Sequence, residues 1–127
     1  MKNNNPLSPH IQIYDWHISS LVSISHRIVG VVNFFIFNLL CLWVILISLN
    51  RNYFEVMNVF LNSYYGKFMT IGIIWSFSFH ILSEIRHLIW DLGYGFNLKV
   101  SKISGAIVIL GSFLMTILIY LIGRQLI

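Results

Sequence analysis

The residues of this chain best suited to chemistry lie in the stretch 80–93, which reads HILSEIRHLIWDLG. His80, Glu84 and His87 are spaced i, i+4 and i+7, so on a helix they project from one face. An ionisable side chain inside an apolar spanning segment is costly and by default marks a functional site. A histidine at membrane depth is a ligand type that haem iron accepts. The stretch therefore favours a small membrane cytochrome over a soluble domain.

His80 is the candidate iron ligand because it lies well inside the apolar run. It stands about six residues, or ~9 Å at 1.5 Å per residue, from the charged end of its helix at Arg86. Arg27 and Arg86 are cations at the ends of the first and second helices, and arginine pairs well with carboxylates such as the haem propionates. The alternative is a structural histidine that is hydrogen-bonded to a serine or a carbonyl of a neighbouring helix.

A bis-histidine haem needs a second axial ligand, and no other histidine is expected at the depth of His80. Two histidines are expected near the membrane boundary and two outside the helices, namely His26 and His87, and His10 and His17. We therefore expect the second ligand to come from another polypeptide, which makes this chain part of a heteromeric assembly.

Ser23, His26 and Arg27 form a second candidate site near the start of the first helix. Ser23 and Arg27 are spaced i, i+4 and share a face, so a hydroxyl and a fixed cation lie together at the membrane boundary. A quinone headgroup uses this combination, because a donor binds its carbonyl oxygen and a cation stabilises its reduced, anionic form. The alternative is a helix N-terminal turn whose arginine extends toward the lipid headgroups.

Glu84 allows another interpretation of the face that carries His80. One carboxylate and two histidines, His80 and His87, offer a ligand set for iron or zinc. Alternatively, Glu84 and His87 reach the wet boundary of the membrane, where solvated charge is ordinary. Both interpretations stay open at the level of these residues.

The composition argues against a soluble protein and predicts an all-α integral membrane fold. Of 127 residues, 57% are hydrophobic and only 9% are charged, and the mean hydropathy is +0.80. About a quarter of a soluble domain is charged. Three segments, 28–49, 68–83 and 103–123, carry no charged residue. Since about 20 apolar residues span a bilayer, we predict three transmembrane helices.

These helices belong to one domain, residues 1–127, and run up-down-up through the membrane. Each helix extends beyond its uncharged centre, and the predicted bounds are about 21–48, 66–91 and 102–124. Between the first two helices, the stretch 53–61 is amphipathic and is expected to lie along the outer membrane surface.

The net charge of +4 is better explained by the membrane boundary than by nucleic acid, because the basic residues stand at helix ends and form no run. The N-terminal segment and second loop carry Lys2, Arg27, Arg86, Lys99 and Lys102, and the first loop and C-terminus carry Arg51, Lys67 and Arg124. Five against three places the N-terminus in the cytoplasm or matrix. The N-terminus lacks the pattern of a signal or transit peptide, so we expect a bacterial inner membrane or a mitochondrial inner membrane.

Two motifs and the three-helix hydropathy profile together cover nearly the whole chain. Residues that match the first motif, which ends in Ser-x-x-His-Arg-x-Ser/Thr, are Pro6, Leu7, Ile11, Ile18, Ser23, His26 and Arg27. Residues that match the second, His-x3-Gly/Ala-aliphatic-Arg-His followed by an aromatic and Asp-x-Gly, are His80, Ile85, Arg86, His87, Leu88, Trp90, Asp91 and Gly93. Departures from the motifs stand at Asn5, Val29 and Glu84, the last at a position of a small residue. With these motifs the chain resembles the cytochrome b anchor subunit of succinate dehydrogenase, respiratory complex II.

The resemblance implies a helical bundle formed with a second anchor subunit, and it implies His80 as an axial ligand of haem b. The residues implied at the haem propionates are His26, Arg27, Arg86 and His87. Ser23 and Arg27 are implied to line a ubiquinone site that is completed by the second anchor subunit and the iron–sulfur subunit.

The resemblance also implies that succinate is oxidised elsewhere. A flavoprotein subunit would carry out that reaction and pass electrons through iron–sulfur clusters to quinone, so no succinate-oxidising site is expected on this chain. Two alternatives remain open. One is a fumarate reductase anchor working in the reverse direction, and the other is a haem-free assembly subunit whose polar residues only hold helices together.

Overall fold

A computed structural model describes residues 17–126 of the chain, apart from the side chain of residue 126. The helices in this part are α1 (Ile18–Leu49), α2 (Arg51–Asn62), α3 (Tyr64–Asp91) and α4 (Leu98–Leu126). Three of them, α1, α3 and α4, are long and apolar enough to cross a membrane. The predicted all-α membrane fold with three spanning helices is therefore confirmed. Predictions for residues 1–16, among them those for Pro6, Leu7, His10 and Ile11, lie outside the described residues.

All three spanning helices begin earlier than the sequence predicts. The first starts at Ile18 rather than at about residue 21, α3 at Tyr64 rather than at about residue 66, and α4 at Leu98 rather than at about residue 102. At the start of α4, the side-chain oxygen of Asn97 accepts a hydrogen bond from the backbone N–H of Lys99 at 3.2 Å. Asparagine is a good helix-capping residue, which explains why the helix begins before the serines that follow.

The amphipathic stretch 53–61 lies within the separate helix α2, which is set off by a capping residue at each end. The side chain of Asn50 accepts a hydrogen bond from the backbone N–H of Asn52 at 3.0 Å. The hydroxyl of Ser63 accepts from the backbone N–H of Gly66 at 3.1 Å and so caps the start of α3. A Cβ at Gly66 would overlap the Phe60 carbonyl, so the α2–α3 turn requires glycine at this position.

Helix α3 contacts all three other helices of the described chain and holds the small core. Val22 of α1, Phe79 of α3 and Val108 of α4 are the buried apolar residues in this part of the chain. In addition, Ser76 donates its hydroxyl to the side-chain oxygen of Asn33 at 2.6 Å, across the α1–α3 contact. Small and polar residues at helix contacts are typical of membrane bundles, where apolar side chains gain little by leaving lipid.

Candidate functional site

Three histidine rings stack on one another where α1 crosses α3. His26 of α1 lies with its ring centroid 4.4 Å from that of His80, and the two ring planes are within 10° of parallel. His87 is closer to the end of α3. The centroid of its ring lies 5.1 Å from that of His26, and the two ring planes meet at 27°. The structure therefore brings together all three histidines that the motifs singled out in the described chain. We call His26, His80, His87 and Glu84 the histidine cluster.

The position of His26 corrects one step of the sequence argument. His26 was expected near the membrane boundary and away from His80, but the two rings are in contact. The expectation was wrong because α1 and α3 cross at this level, and the crossing point is not encoded in either helix alone. Two axial ligands of one iron would point their ring nitrogens at it from opposite sides. The ring of His26 instead lies flat against that of His80. His26 is therefore not placed as the opposite axial ligand to His80.

Glu84 reaches back to α1 and not along its own helix. Its carboxylate Oε1 lies 3.2 Å from Nε2 of His26, an ion-pair distance when that histidine is protonated. The ligand atoms of His26, His80 and Glu84 all lie within 4.8 Å of one another, close enough to share a metal ion. His87 stands apart from this set, because its Nδ1 is 2.7 Å from the Ser83 carbonyl. The sequence groups Glu84 with His80 and His87, whereas the structure groups it with His80 and His26.

The His80 ring packs closely against α1, and one of its nitrogens lacks a hydrogen-bond partner within the described chain. Its Nδ1 is buried and has no hydrogen-bond partner among the described residues. A Cβ built on Gly30 would lie 3.2 Å from Cε1 of His80, so this glycine lets the imidazole approach the α1 backbone. Sequence reasoning missed Gly30, although its position one turn after His26 was a usable signal.

Arg86 lies apart from the histidine cluster, in the space between α1, α3 and α4. It is only 4% exposed. Its Nε donates to the Ser104 hydroxyl at 3.0 Å, and its Nη2 donates to the hydroxyl of Ser19 and the carbonyl of Ser101, each at 3.1 Å. The guanidinium carbon also lies 4.1 Å from the centroid of the Trp90 ring. Arg86 thus joins three helices at one end of the bundle, and its role at a haem propionate stays a prediction.

A second group of residues lines an open, shallow pocket of about 320 Å³ at the start of α1 and the end of α3. The lining residues are Ser19, Ser20, Ser23, Ile24, Arg27 and Trp90. Ser23 and Arg27, which the sequence paired by their spacing, therefore line the same space. Ile24 and Trp90 supply apolar walls on either side, and neither was predicted as a site residue. We call this space the serine–arginine pocket.

Trp90 connects the pocket with the histidine cluster. Its ring lies 5.5 Å from the ring of His87, in an edge-on arrangement. On α1, Ser23, His26 and Arg27 fall within about one turn, or ~5.4 Å along the helix. A ligand in the pocket would therefore lie about one helical turn from the stacked rings.

The chain is similar in sequence to proteins of one known family. Residues 1–119 match the family model described as succinate dehydrogenase/fumarate reductase transmembrane subunit. The succinate dehydrogenase cytochrome b556 subunit of Rickettsia felis is 39% identical over 118 residues, which cover 93% of this chain and 92% of the relative. That of Paracoccus denitrificans is 29% identical, covering 92% and 90%. The mitochondrial cytochrome b560 subunit of Sus scrofa is 34% identical, covering 85% and 65%.

Proposed function

Because this chain belongs to the succinate dehydrogenase/fumarate reductase transmembrane subunit family, we propose that it anchors such an enzyme in the membrane, binds haem b and helps to form its ubiquinone site. The observation that carries the proposal is the close placement of two features on α1 and α3. A half-buried imidazole at His80, whose Nδ1 has no hydrogen-bond partner in the described chain, lies beside His26, and His26 is one turn from the pocket lined by Ser23 and Arg27.

The residues of the cluster fit a haem group. His80 offers a ring nitrogen with no partner inside the described chain, and Gly30 adds no side chain where the ring approaches the α1 backbone. His80 would hold the iron, and a second anchor subunit would supply the opposite ligand. The propionates would be met by His26, Arg27, Arg86 and His87. When bound, haem b supplies a centre that accepts and donates single electrons.

The serine–arginine pocket suits the headgroup of ubiquinone. The Ser23 hydroxyl is available to donate a hydrogen bond to a quinone carbonyl oxygen. The Arg27 guanidinium stays charged and stabilises negative charge on that oxygen as the quinone is reduced. Ile24 and Trp90 give the ring an apolar surface on which to rest. These residues bind and orient the quinone, and the electrons arrive from outside this chain.

The remaining parts of the enzyme belong to other polypeptides. We infer an iron–sulfur subunit that delivers electrons, a flavoprotein subunit that oxidises succinate, and a second membrane anchor. The names of the relatives favour the succinate-oxidising direction over fumarate reduction. The charge count further favours an N-terminus in the cytoplasm or matrix, in a bacterial or mitochondrial inner membrane.

The reduced-minus-oxidised absorption spectrum of the intact, detergent-purified assembly tests the haem assignment. We expect a b-type band in the wild type and its loss in His80→Ala. His17→Ala is the matched control, since His17 is exposed before α1 and lies outside the cluster. An unchanged band in His80→Ala would reject His80 as the ligand.

A wild-type assembly without any b-type band would instead favour two alternatives. One is a haem-free anchor, and the other is a simple metal site at His26, His80 and Glu84. Metal analysis of this sample beside His80→Ala separates them, because only a metal site at the cluster loses iron or zinc in the variant, whereas the iron of the iron–sulfur subunit stays constant.

A further inference from the structure

A second and larger cavity lies at the opposite end of the spanning helices from the serine–arginine pocket. It measures about 690 Å³, is partly open, and is lined by α2, α3 and α4. We call it the α2 cavity. Its lining residues are Asn58, Leu61, Asn62, Lys67, Thr70, Ile74, Ile119, Tyr120, Gly123 and Arg124.

Two cations face this cavity without a countercharge. Lys67 stands in the first turn of α3 and Arg124 in the last turn of α4. The lining includes no aspartate or glutamate. Neither cationic side chain forms an ion pair or hydrogen bond within the described part of the chain. Two unpaired cations that line one cavity are complementary to an anion.

The polarity of the walls changes with depth. Ile74 is two turns further along α3 than Lys67, which is ~10.5 Å at 1.5 Å per residue. Ile119 precedes Arg124 by five residues on α4, or ~7.5 Å in the same direction. The cavity is therefore cationic at the level of the helix ends and apolar toward the middle of the membrane. This polarity matches an amphiphile with an anionic headgroup.

We propose that the α2 cavity binds one anionic phospholipid. Its phosphate would lie between Lys67 and Arg124, and the start of an acyl chain would lie along Ile74 and Ile119. A free phosphate ion would use only the cationic end, and a neutral amphiphile would leave both cations unpaired. The volume of about 690 Å³ is sufficient for a headgroup and the first acyl carbons. The proposal is independent of haem and quinone binding, since it concerns the other end of the helices.

Native mass spectrometry of the assembly that copurifies with the full chain provides the test. The delipidated sample is incubated with phosphatidylglycerol, phosphatidylcholine or inorganic phosphate. We expect the wild-type assembly to retain one phosphatidylglycerol. In Lys67→Gln/Arg124→Gln the affinity for this lipid should be weaker by about tenfold or more. Arg51→Gln is the matched control, because Arg51 is a cation at the same end that does not line the cavity. It should bind phosphatidylglycerol as the wild type does.

Four outcomes would overturn the proposal. These are equal retention of phosphatidylcholine, full competition by millimolar inorganic phosphate, equal loss of lipid in Arg51→Gln, and no retained lipid in the wild type. Competition by phosphate would assign the cavity to a free anion. If the double variant does not assemble, Ile119→Trp tests the same claim. This change fills the apolar end and should lower phosphatidylglycerol retention while both cations remain.

Discussion

The imidazole rings of His26 and His80 lie face to face, with their centroids 4.4 Å apart and their planes within 10° of parallel. The contact joins α1 to α3 inside the membrane. It leaves Nδ1 of His80 buried without a hydrogen-bond partner in the described chain, a state that costs free energy unless another group binds there. A group that binds at His80 would therefore offset this cost.

Adding a bulky side chain at position 30, which is glycine, should reduce haem binding. A Cβ at this position lies 3.2 Å from Cε1 of His80, and a valine would push the ring further away from α1. We expect Gly30→Ala to retain most of the haem and Gly30→Val to lose at least half. The b-type band per assembly measures this loss. Gly72→Val is the control, because a Cβ at Gly72 meets no atom within 4 Å. Equal haem content in both valine variants would contradict the prediction.

Replacing Glu84 by alanine should leave haem content and stability nearly unchanged. The carboxylate is half exposed although it lies 3.2 Å from His26, and exposed ion pairs contribute about 0–1 kcal/mol. Alanine also restores a small residue at this position of the second motif without the flexibility of glycine. Thermal denaturation and the b-type band of Glu84→Ala are the measurements. A clear loss of haem in this variant would mean that Glu84 holds the cluster in its binding arrangement.

Truncation of Arg86 should destabilise the chain strongly. Its guanidinium hydrogen-bonds to serines of α1 and α4 while it is 4% exposed, and alanine would remove these bonds between the helices. We expect Arg86→Ala to cost about 3 kcal/mol. The fall in the thermal midpoint of the purified assembly measures this cost. Arg51→Gln, which removes an exposed arginine, should leave the midpoint unchanged. Similar midpoints in the two variants would show that the Arg86 hydrogen bonds contribute little.

Removal of the pocket's polar groups should slow quinone reduction selectively. We expect Arg27→Ala to lower ubiquinone reductase activity about tenfold and Ser23→Ala to lower it less, because a cation stabilises the reduced form more than a hydroxyl does. Succinate oxidation with a dye acceptor should be largely retained. Ser48→Ala is the control, since Ser48 lies at the other end of α1. An equal fall in both activities would indicate failed assembly rather than loss of the quinone site.

The indole of Trp90 should matter for quinone affinity more than for turnover. The ring forms one wall of the pocket and is held by the guanidinium of Arg86 at 4.1 Å. We expect Trp90→Ala to raise the KM for ubiquinone several-fold with a smaller change in kcat, and Trp90→Phe to restore most of the affinity. Steady-state kinetics with a short-chain quinone measures both constants. A fall in kcat with constant KM would contradict the assigned role.

Several elements of the fold follow from local sequence alone. Uncharged runs long enough to span a bilayer fix the number of membrane helices, because hydrocarbon excludes charge whatever the helices pack against. The stretch 53–61 forms part of a helix between capping residues Asn50 and Ser63, which act on their own backbone neighbours. The spacing of Ser23 and Arg27 likewise places them on one face, and both line one pocket. The two motifs also led to the family that the comparisons confirmed.

Local sequence is therefore enough to predict the spans, the residues that share a helix face and the family, since all three depend on residues close together in the chain or on a motif. Which faces meet depends on how the helices pack. This packing brought His26 against His80, opened space at Gly30, and turned Arg86 toward serines 67 and 18 positions away in the chain, Ser19 and Ser104. The physical reason is that the depth and angle of a helix crossing are set by packing between two surfaces, and neither surface specifies them alone.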